Sequence, residues 1–344
     1  MITRRFQVRI AGAAASALLL AGCAMGDVAG GTSVPSAVPR TTQAFADPPG
    51  QFRFVIVGDR TGGHRPGVFE KAMDQINLLA PAFVIGVGDH IEGYTEDQAV
   101  LVREWDEFDA ATAKLKSPFF HVVGNHDIGN EVMRALWRKR MGRDVYHFRY
   151  RDVLFVALNT EDPPPPKSNK RELLKEYSPQ EMQQVIGALQ AGDAAVEAIM
   201  AQPRLRSLVE KFKAADQVSI SQSQIDYVRK TLADNRDARW TFFLMHRPGW
   251  RYASPQFKAI EALAAGRPHS FVAGHFHSYA YQQRDGVDYI QMGTTGGLMD
   301  TNPANGAAMD HVLYITMTPS GPEIANIRLD GLLDRRGPVA LKKD

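Results

Sequence analysis

Five short polar segments, each directly behind an apolar run of strand length, hold the side chains best suited to chemistry. The candidate ligands in them are Asp59, Asp89, Asn125, His246, His275 and His277. Carboxylates, imidazoles and a carboxamide form a mixed donor set that suits Mn, Fe or Zn better than Ca or Mg. The chain has one cysteine, which excludes multi-cysteine metal clusters. The pattern therefore indicates a metal site built from His, Asp and Asn.

The position of these residues behind strands predicts that they meet. Ligands of open α/β sheets gather outside the carboxyl ends of the strands, so the five segments should converge on one edge. Glycines precede four of the candidate ligands and should permit sharp turns with positive φ. His275 and His277, two residues apart, can both point inward only from irregular backbone, or each can serve a different ion from an extended one.

Each segment also has a simpler explanation when taken alone. A Gly-Asp pair behind a strand is ordinary turn chemistry. Asn125 or Asp127 could cap a helix at 128–141, and His246 could bond a backbone carbonyl at a strand end. None of these explanations accounts for all five segments together in this order, so the joint pattern favours the metal site.

The elements that must position these residues alternate between apolar runs and helical patterns, which predicts an α/β domain. Helical spacing is clearest at 69–79 and, later in the chain, at 182–189, 208–212 and 221–232. The predicted strands are 52–57, 83–87, 119–123, 153–158, 240–245, 270–273, 287–292, 312–317 and 323–329. We expect a two-layer β-sandwich flanked by helices.

In their order and residue types, the five segments at 52–295 resemble the calcineurin-like metallophosphoesterases. The resemblance implies hydrolysis of phosphate esters by a hydroxide that bridges two divalent ions, Mn, Fe or Zn. Under this resemblance Asp89 would bridge both ions and His126, grouped with Asp127, would be the catalytic general acid. The first ion would be held by Asp59 and His277, and the second by Asn125, His246 and His275.

The sequence departs from the family pattern two residues after Asp59. The family usually has a histidine there, whereas this chain has Thr61, a poor ligand, so the first ion lacks one ligand. Purple acid phosphatases, a branch of the family, instead take a tyrosine ligand three residues after the bridging aspartate, and that position is Glu92 here. In the protein-phosphatase branch the same offset carries an aspartate that orients the proton-donating histidine. Glu92 is therefore predicted as a metal ligand, with orientation of His126 or a solvated turn as the alternatives.

Two arginines flank ligand positions and could bind the substrate. Arg60 and Arg247 follow Asp59 and His246, and a guanidinium matches the charge and geometry of phosphate oxygens. Solvation at the surface is the alternative for both. The chain has no Gly-x-x-x-x-Gly-Lys segment and no Gly-x-Ser-x-Gly elbow, which leaves nucleotide-driven and serine-hydrolase mechanisms without support.

The chain start indicates export. Residues 1–22 combine arginines with an apolar run too short for a permanent transmembrane helix, which predicts a signal peptide. The run is followed by Leu-Ala-Gly-Cys, which resembles the bacterial lipobox. We therefore expect a lipoprotein attached to the cell-envelope membrane through Cys23, periplasmic or on the outer membrane, with a plain secretory signal as the alternative.

The remaining chain divides into three predicted parts, the second of which contains an insertion. The composition of residues 23–50 predicts a flexible tether, and the resemblance implies a metallophosphoesterase domain at 51–330. A helical insertion at 161–217 could form a lid or substrate wall at the metal edge, or an external decoration. Residues 331–344 form a C-terminal tail.

Charge bears on the partners. Removal of the leader takes away three arginines and changes the formal net charge from +2 to −1, so no nucleic acid partner is expected. A phosphate ester is the substrate that the family resemblance implies. The alternative function is a degenerate, lipid-tethered binding or scaffold protein without turnover, which Thr61 would explain.

Overall fold

The computed structural model describes residues 49–335, apart from 165–172, 174 and 192. The predicted signal peptide, the predicted lipid attachment at Cys23 and nearly all of the predicted tether lie outside the described residues, as do residues 336–344 of the predicted tail. Within the described part, no helix combines the length and the apolar character that crossing a membrane requires.

The elements follow the predicted alternation of strands and helices. The described strands are β1 (Phe52–Val57), β2 (Val84–Gly86), β3 (Phe119–His121), β4 (Tyr146–Tyr150), β5 (Val153–Ala157), β6 (Glu161–Asp162), β7 (Ser219–Ile220), β8 (Trp240–Leu244), β9 (His269–Ala273), β10 (Ala280–Arg284), β11 (Val287–Gln291), β12 (His311–Thr318) and β13 (Gly321–Arg328). The described α-helices are α1 (Val68–Leu79), α2 (Gln98–Thr112), α3 (Glu131–Arg140), α4 (Pro179–Ala191), α5 (Asp193–Met200), α6 (Pro203–Ala215), α7 (Gln222–Asp234) and α8 (Pro255–Ala264).

Two sheets form the centre of the domain. The first has the strand order β13-β12-β1-β2-β3 and the second has the order β10-β11-β9-β8-β5-β4. Neighbouring strands are parallel from β1 to β3 and again from β5 through β8 and β9 to β11, whereas the outer strands pair antiparallel. The parallel strands bring several carboxyl ends to one edge of each sheet, as the position of a ligand site requires.

The sheets pack face to face through aromatic side chains. The Phe54 ring centroid lies 5.2 Å from the centroids of Phe83, Phe155 and Phe242. All four rings are buried, and full burial of one such side chain contributes about 1.5–3 kcal/mol. This aromatic layer is the core of the sandwich.

Alternating residues of the same strands contact the helices outside. Val55 of β1 packs with Phe69 of α1 and Trp105 of α2, on the opposite face from Phe54. Phe243 of β8 packs in the same way with residues of α7 and α8. The prediction of a two-layer β-sandwich flanked by helices is confirmed.

Segment 161–217 has a core of its own. Its helices α4, α5 and α6 pack on each other through buried side chains that include Val185 and Leu208. At its two ends, β6 and β7 pair as short parallel strands, with Glu161 opposite Ser219. The segment thus leaves and rejoins the domain at neighbouring points.

The predicted strands leave out β4, β10 and the two-residue strands β6 and β7, and the helical patterns leave out α2, α5 and α8. The edge strands β4 and β10 are half-exposed, so they lack the continuous apolar run that marks the central strands. Helix α2 mixes acidic residues with its buried side chains, which weakens its helical pattern, and α8 is short.

Candidate metal centre

The loops behind five parallel strands carry the predicted ligands. Asp59 and Asp89 follow β1 and β2, and Asn125 lies beyond β3. His246 follows β8, and the pair His275 and His277 follows β9. The two groups come from different sheets, so the site lies where the carboxyl-end edges of both sheets meet.

The backbone at this edge is strained where ligands project inward. Asp89, His275 and His277 have φ angles of 55°, 76° and 56°, in the left-handed region that non-glycine residues avoid. Such conformations cost on the order of 1–3 kcal/mol each and persist where surrounding contacts hold them. The expectation that the two histidines need irregular backbone agrees with these angles.

The glycines before the ligands act differently from the prediction. Only Gly88 has a positive φ, of 100°. Gly58, Gly124 and Gly274 are required by close approach, because a Cβ on Gly124 would lie 2.2 Å from Asp89 Oδ1 and one on Gly274 would lie 2.6 Å from an Asp59 carboxylate oxygen. Positive φ is thus the wrong reason for three of the four.

The ligand side chains form two clusters that share one carboxylate. Asp59, Asp89 and His277 place ligand atoms within 4.8 Å of one another, and we call them the Asp59 cluster. Asp89, His246 and His275 do the same. The Asn125 Oδ1 lies 3.1 Å from His246 Nε2, so Asn125 joins this second set, which we call the His246 cluster.

The electrostatics of the clusters fit bound cations. Burial raises the pKa of Asp59. Burial opposes ionisation of Asp89 as well, but His246 and His126 hold the pKa of Asp89 well below its usual value. Although burial acts against it, Asp89 raises the pKa of His246 to about 9. Two buried carboxylates surrounded by imidazoles, at 0–1% exposure, are the kind of group that pairs with a metal ion.

Three histidines at the site are held by backbone carbonyls. The Nδ1 of His126 donates to the Glu92 carbonyl at 2.8 Å, and the Nδ1 of His246 donates to the Val87 carbonyl at 2.9 Å. The Nδ1 of His277 donates to the Leu298 carbonyl. Because a carbonyl only accepts, each Nδ1 carries a proton, and each Nε2 is the nitrogen that could bind an ion or contact a substrate.

His126 stands beside the shared carboxylate. Its Nε2 lies 3.9 Å from Asp89 Oδ2, and its backbone N–H donates to Asp89 Oδ1 at 3.0 Å. The Tyr94 ring contacts the imidazole edge to face, with centroids 4.6 Å apart. The ring is therefore fixed on both sides while Nε2 faces the clusters.

Asp127, predicted to be catalytic together with His126, is a structural residue instead. Its carboxylate accepts hydrogen bonds from the backbone N–H groups of Asp89, His90, Ile91 and Gly124. It is fully buried. These contacts fix the turn that presents Asp89, and they leave Asp127 no free oxygen with which to contact a substrate.

The Glu92 carboxylate contacts the backbone of a neighbouring loop. Its Oε1 accepts hydrogen bonds from the backbone N–H groups of Gly63 and His64, at 2.9 and 2.6 Å. The Glu92 carboxylate thus lies outside both ligand clusters, and its ligand role stays a prediction. The alternative role, orientation of His126, is filled by the Glu92 backbone carbonyl, while the carboxylate Oε2 stays 4.0 Å from His126 Nδ1.

The two arginines predicted to bind the substrate lie in different surroundings. Arg60 is 2% exposed and points away from the ligands, with its guanidinium bonded to the His90 carbonyl and close to Glu70. Arg247 lies beside the His246 cluster but is paired with Glu161 and Asp216. In the described structure each guanidinium thus contacts protein groups, and substrate binding by either arginine stays a prediction.

Thr61, which stands where the family usually has a histidine ligand, also points away from the ligand clusters. The Thr61 hydroxyl lies 2.9 and 2.7 Å from the carbonyl oxygens of Asp89 and Ile91, to which it donates. It ties the β1 loop to the β2 loop and offers no ligand to the Asp59 cluster.

Sequence reasoning missed two side chains at the site. Tyr94 accepts a hydrogen bond from Asn125 Nδ2 at 2.8 Å, which aims the Asn125 carbonyl oxygen at His246. The one sequence signal for Tyr94 is that a tyrosine stands two residues after Glu92, the position predicted as a ligand. Asp216 contacts His275 across 59 residues of sequence, and no local pattern marks it.

Comparisons with known proteins agree with this architecture. A family model described as calcineurin-like phosphoesterase matches residues 52–290. No curated protein matches the chain in sequence. The match to a purple acid phosphatase from yellow lupin (Lupinus luteus) seeds has a TM-score of 0.50 and 12% identity, and covers 82% of this chain and 52% of that chain. A dimetal phosphatase from Danio rerio matches with a TM-score of 0.49 and 15% identity, over 81% of this chain and 99% of that chain. At these identities the lupin structure supports the fold alone.

Proposed function

Because the chain belongs to the calcineurin-like phosphoesterase family, we propose that it hydrolyses phosphate esters with two divalent ions and with His126 as the general acid. Membership of the family makes the chain a phosphoric-ester hydrolase. The observation that carries the finer proposal is the convergence of two ligand clusters on the shared carboxylate of Asp89, beside the free Nε2 of His126.

The residues present fit two ions. Asp59 and His277 would hold one ion and Asn125, His246 and His275 the other, with Asp89 shared between them. The mixture of imidazole, carboxylate and carboxamide supports Mn, Fe or Zn. When bound, such ions polarise phosphoryl oxygens and generate a nucleophile from water at neutral pH.

His126 would supply the proton that the leaving oxygen needs. Its Nδ1 donates to a backbone carbonyl, so Nε2 is the nitrogen that gains and gives up a proton. The edge contact of Tyr94 and the backbone bond to Asp89 hold the ring in one orientation. Positioned general acids contribute about 10²–10⁴-fold to rates.

The decisive experiment compares phosphate esters whose leaving groups differ in basicity. The protein should hydrolyse chromogenic phosphate monoesters or diesters, lose turnover with chelator and regain it with Mn²⁺. His126→Ala should lose about 10²–10⁴-fold with an alkyl leaving group and much less with a nitrophenyl leaving group, which needs no proton. The exposed His147→Ala is the matched control.

Two results would contradict the proposal. Equal losses for both leaving groups in His126→Ala would exclude the general-acid role. Absence of turnover of either class of ester with any of Mn²⁺, Fe²⁺ or Zn²⁺ would favour the binding-protein function.

Segment 161–217 would form one wall of the substrate site. This proposal is supported by the position of its two ends, where Glu161 and Asp216 lie against Arg247 beside the His246 cluster. Replacement of the helices α4 to α6 by a short linker should change the ratio of monoester to diester hydrolysis. An unchanged ratio would make the segment an external decoration.

We also propose that the protein is exported and lipid-anchored through Cys23 to the cell envelope. The support is the sequence alone: a basic start, a short apolar run and a single cysteine in a lipobox-like position. In a bacterial host the parent should sediment with membranes, whereas Cys23→Ser should not. A parent protein that stays in the soluble fraction would contradict the proposal.

A further inference from the structure

Residues at both ends of segment 161–217 form ion pairs with the same arginine, Arg247. Arg247 Nε donates to Glu161 Oε1, at the start of the segment, and Arg247 Nη1 donates to Asp216 Oδ1, at its end. Arg247 is 4% exposed and Glu161 is 3% exposed, so their ion pair is buried. Since Arg247 directly follows His246, the segment is attached at the ligand loop itself.

Asp216 reaches a metal ligand as well as the arginine. Its Oδ1 lies 2.8 Å from His275 Nε2 and accepts a hydrogen bond from the Tyr252 hydroxyl at 2.9 Å. His275 is thus the exception among the four site histidines, because a carboxylate rather than a backbone carbonyl is its partner. That carboxylate comes from the residue that follows α6, outside every ligand loop.

This contact decides which nitrogen of His275 can bind an ion. The Nε2 side is occupied, since Asp216 Oδ1 lies 2.8 Å and Arg247 Nη1 lies 2.9 Å from that nitrogen. A cation would not lie against the Arg247 guanidinium. Nδ1 is therefore the nitrogen left for the ion of the His246 cluster.

Asp216 forms an ion pair with Arg247, and the same oxygen that faces His275 accepts a hydrogen bond from the Tyr252 hydroxyl. An ionised carboxylate that accepts an N–H from a ligand imidazole fixes the ring orientation and makes the other nitrogen a stronger donor to a metal.

We propose that Asp216 is a positioning residue that holds His275 with Nδ1 toward the second ion, so that the end of segment 161–217 sets the affinity of the His246 cluster. This inference rests on the proposed function, because it requires the ion that the His246 cluster would hold. In this role Asp216 would act on the ion through its contact with His275.

The test is a calorimetric titration of the ion-free, full-length protein with Mn²⁺. Asp216→Ala should weaken the affinity for one of the two ions about 10–100-fold, the range found when such partners of ligands are removed. Asp216→Asn keeps an acceptor oxygen and should lose less than the alanine variant. The control is Glu176→Gln in the same segment. Glu176 forms an exposed ion pair with Lys211, and both residues are far in sequence from every predicted ligand. This variant should bind both ions as the parent does.

The outcomes separate this inference from the proposed function. If the parent binds none of Mn²⁺, Fe²⁺ and Zn²⁺, the proposed function fails and the inference fails with it. If the parent binds two ions and both Asp216 variants bind them equally well, only the inference is wrong. If the variants have a lower Tm but unchanged affinities for both ions, Asp216 serves only to neutralise Arg247. That result also overturns the inference.

The variants should remain folded. The Asp216 side chain is 41% exposed, so its truncation leaves no buried cavity. If Asp216→Ala nevertheless fails to fold, Asp216→Asn decides the question by the same titration. Weakening of both ions to the same extent would point to a general structural defect and would contradict the selective role.

Discussion

The Asp59 cluster and the His246 cluster share one carboxylate but hold their other ligands differently. The His246 cluster has three further ligands, among them Asn125, which Tyr94 orients, and His275, which Asp216 orients. The Asp59 cluster has only Asp59 and His277, and in the described structure neither Thr61 nor Glu92 adds a ligand to it. The two clusters therefore differ in the number of ligands that they would offer to an ion. We expect the His246 cluster to bind the tighter ion.

The largest expected effect is at the residue that both clusters share. Asp89→Asn should release both ions and lower hydrolysis by more than about 10³-fold, because a carboxamide cannot bridge two cations and their charge stabilisation is lost together. Metal analysis and ester hydrolysis measure the two effects. The exposed Asp74→Asn, which loses only an ion pair with Lys114, is the control.

Retention of one tightly bound ion in Asp89→Asn would show that the clusters do not depend on the shared residue. The two clusters would then be separate sites.

The next largest effects distinguish the ion affinities of the two clusters. His246→Ala should abolish the tighter of two Mn²⁺ binding events, whereas His277→Ala should abolish the weaker one and leave the tighter intact. Both variants should lose hydrolysis, since the proposed reaction needs both ions. If His277→Ala removes the tighter event instead, the proposed order of affinities is wrong.

A smaller effect is expected from pH in the chelated protein. The folded pKa of His246, about 9, lies above its unfolded value of about 6.5. The unfolded state therefore binds fewer protons between these values, and stability falls as pH rises from about 6.5 to 9, by at most about 1.4 kcal/mol per pH unit. Urea unfolding of the ion-free protein should follow this trend, and His246→Gln should flatten it. A stability that rises over this range would contradict the assigned charge of the His246 cluster.

The smallest effect is expected at Glu92. Glu92→Gln keeps an acceptor oxygen for the N–H groups of Gly63 and His64, so it should cost less than about 1 kcal/mol of stability and leave both ions bound. Metal analysis checks the second point. Loss of the weaker ion in this variant would restore Glu92 as a ligand of the Asp59 cluster and remove the asymmetry between the clusters.

The fold and the convergence of most of the predicted ligands could be predicted because both depend on local signals. A buried parallel strand is a continuous apolar run, and a ligand such as Asp59 or His246 follows the run directly, so residue type and position specify the site. Edge strands such as β4 have no such run and were missed. The family resemblance, carried by the same segments, is confirmed by the match over 52–290.

The direction of a polar side chain could not be predicted in the same way. The side chains of Glu92 and Thr61 form hydrogen bonds with backbone groups of a neighbouring loop, and the Arg60 guanidinium donates to the His90 carbonyl in a buried contact. These partners are about 30 residues away in sequence, and Asp216 lies 59 residues from His275. Such contacts depend on how the loops meet after folding, which no spacing within one segment reveals.

The most direct test of the central claim is a titration of the ion-free protein with Mn²⁺ in which bound metal and phosphate-ester hydrolysis are measured on the same sample. We predict two ions per chain with unequal affinities, and hydrolysis that rises only as the second, weaker ion binds. Hydrolysis that is complete with a single ion, or a chain that never binds a second one, would contradict the claim that two clusters sharing Asp89 form the active site.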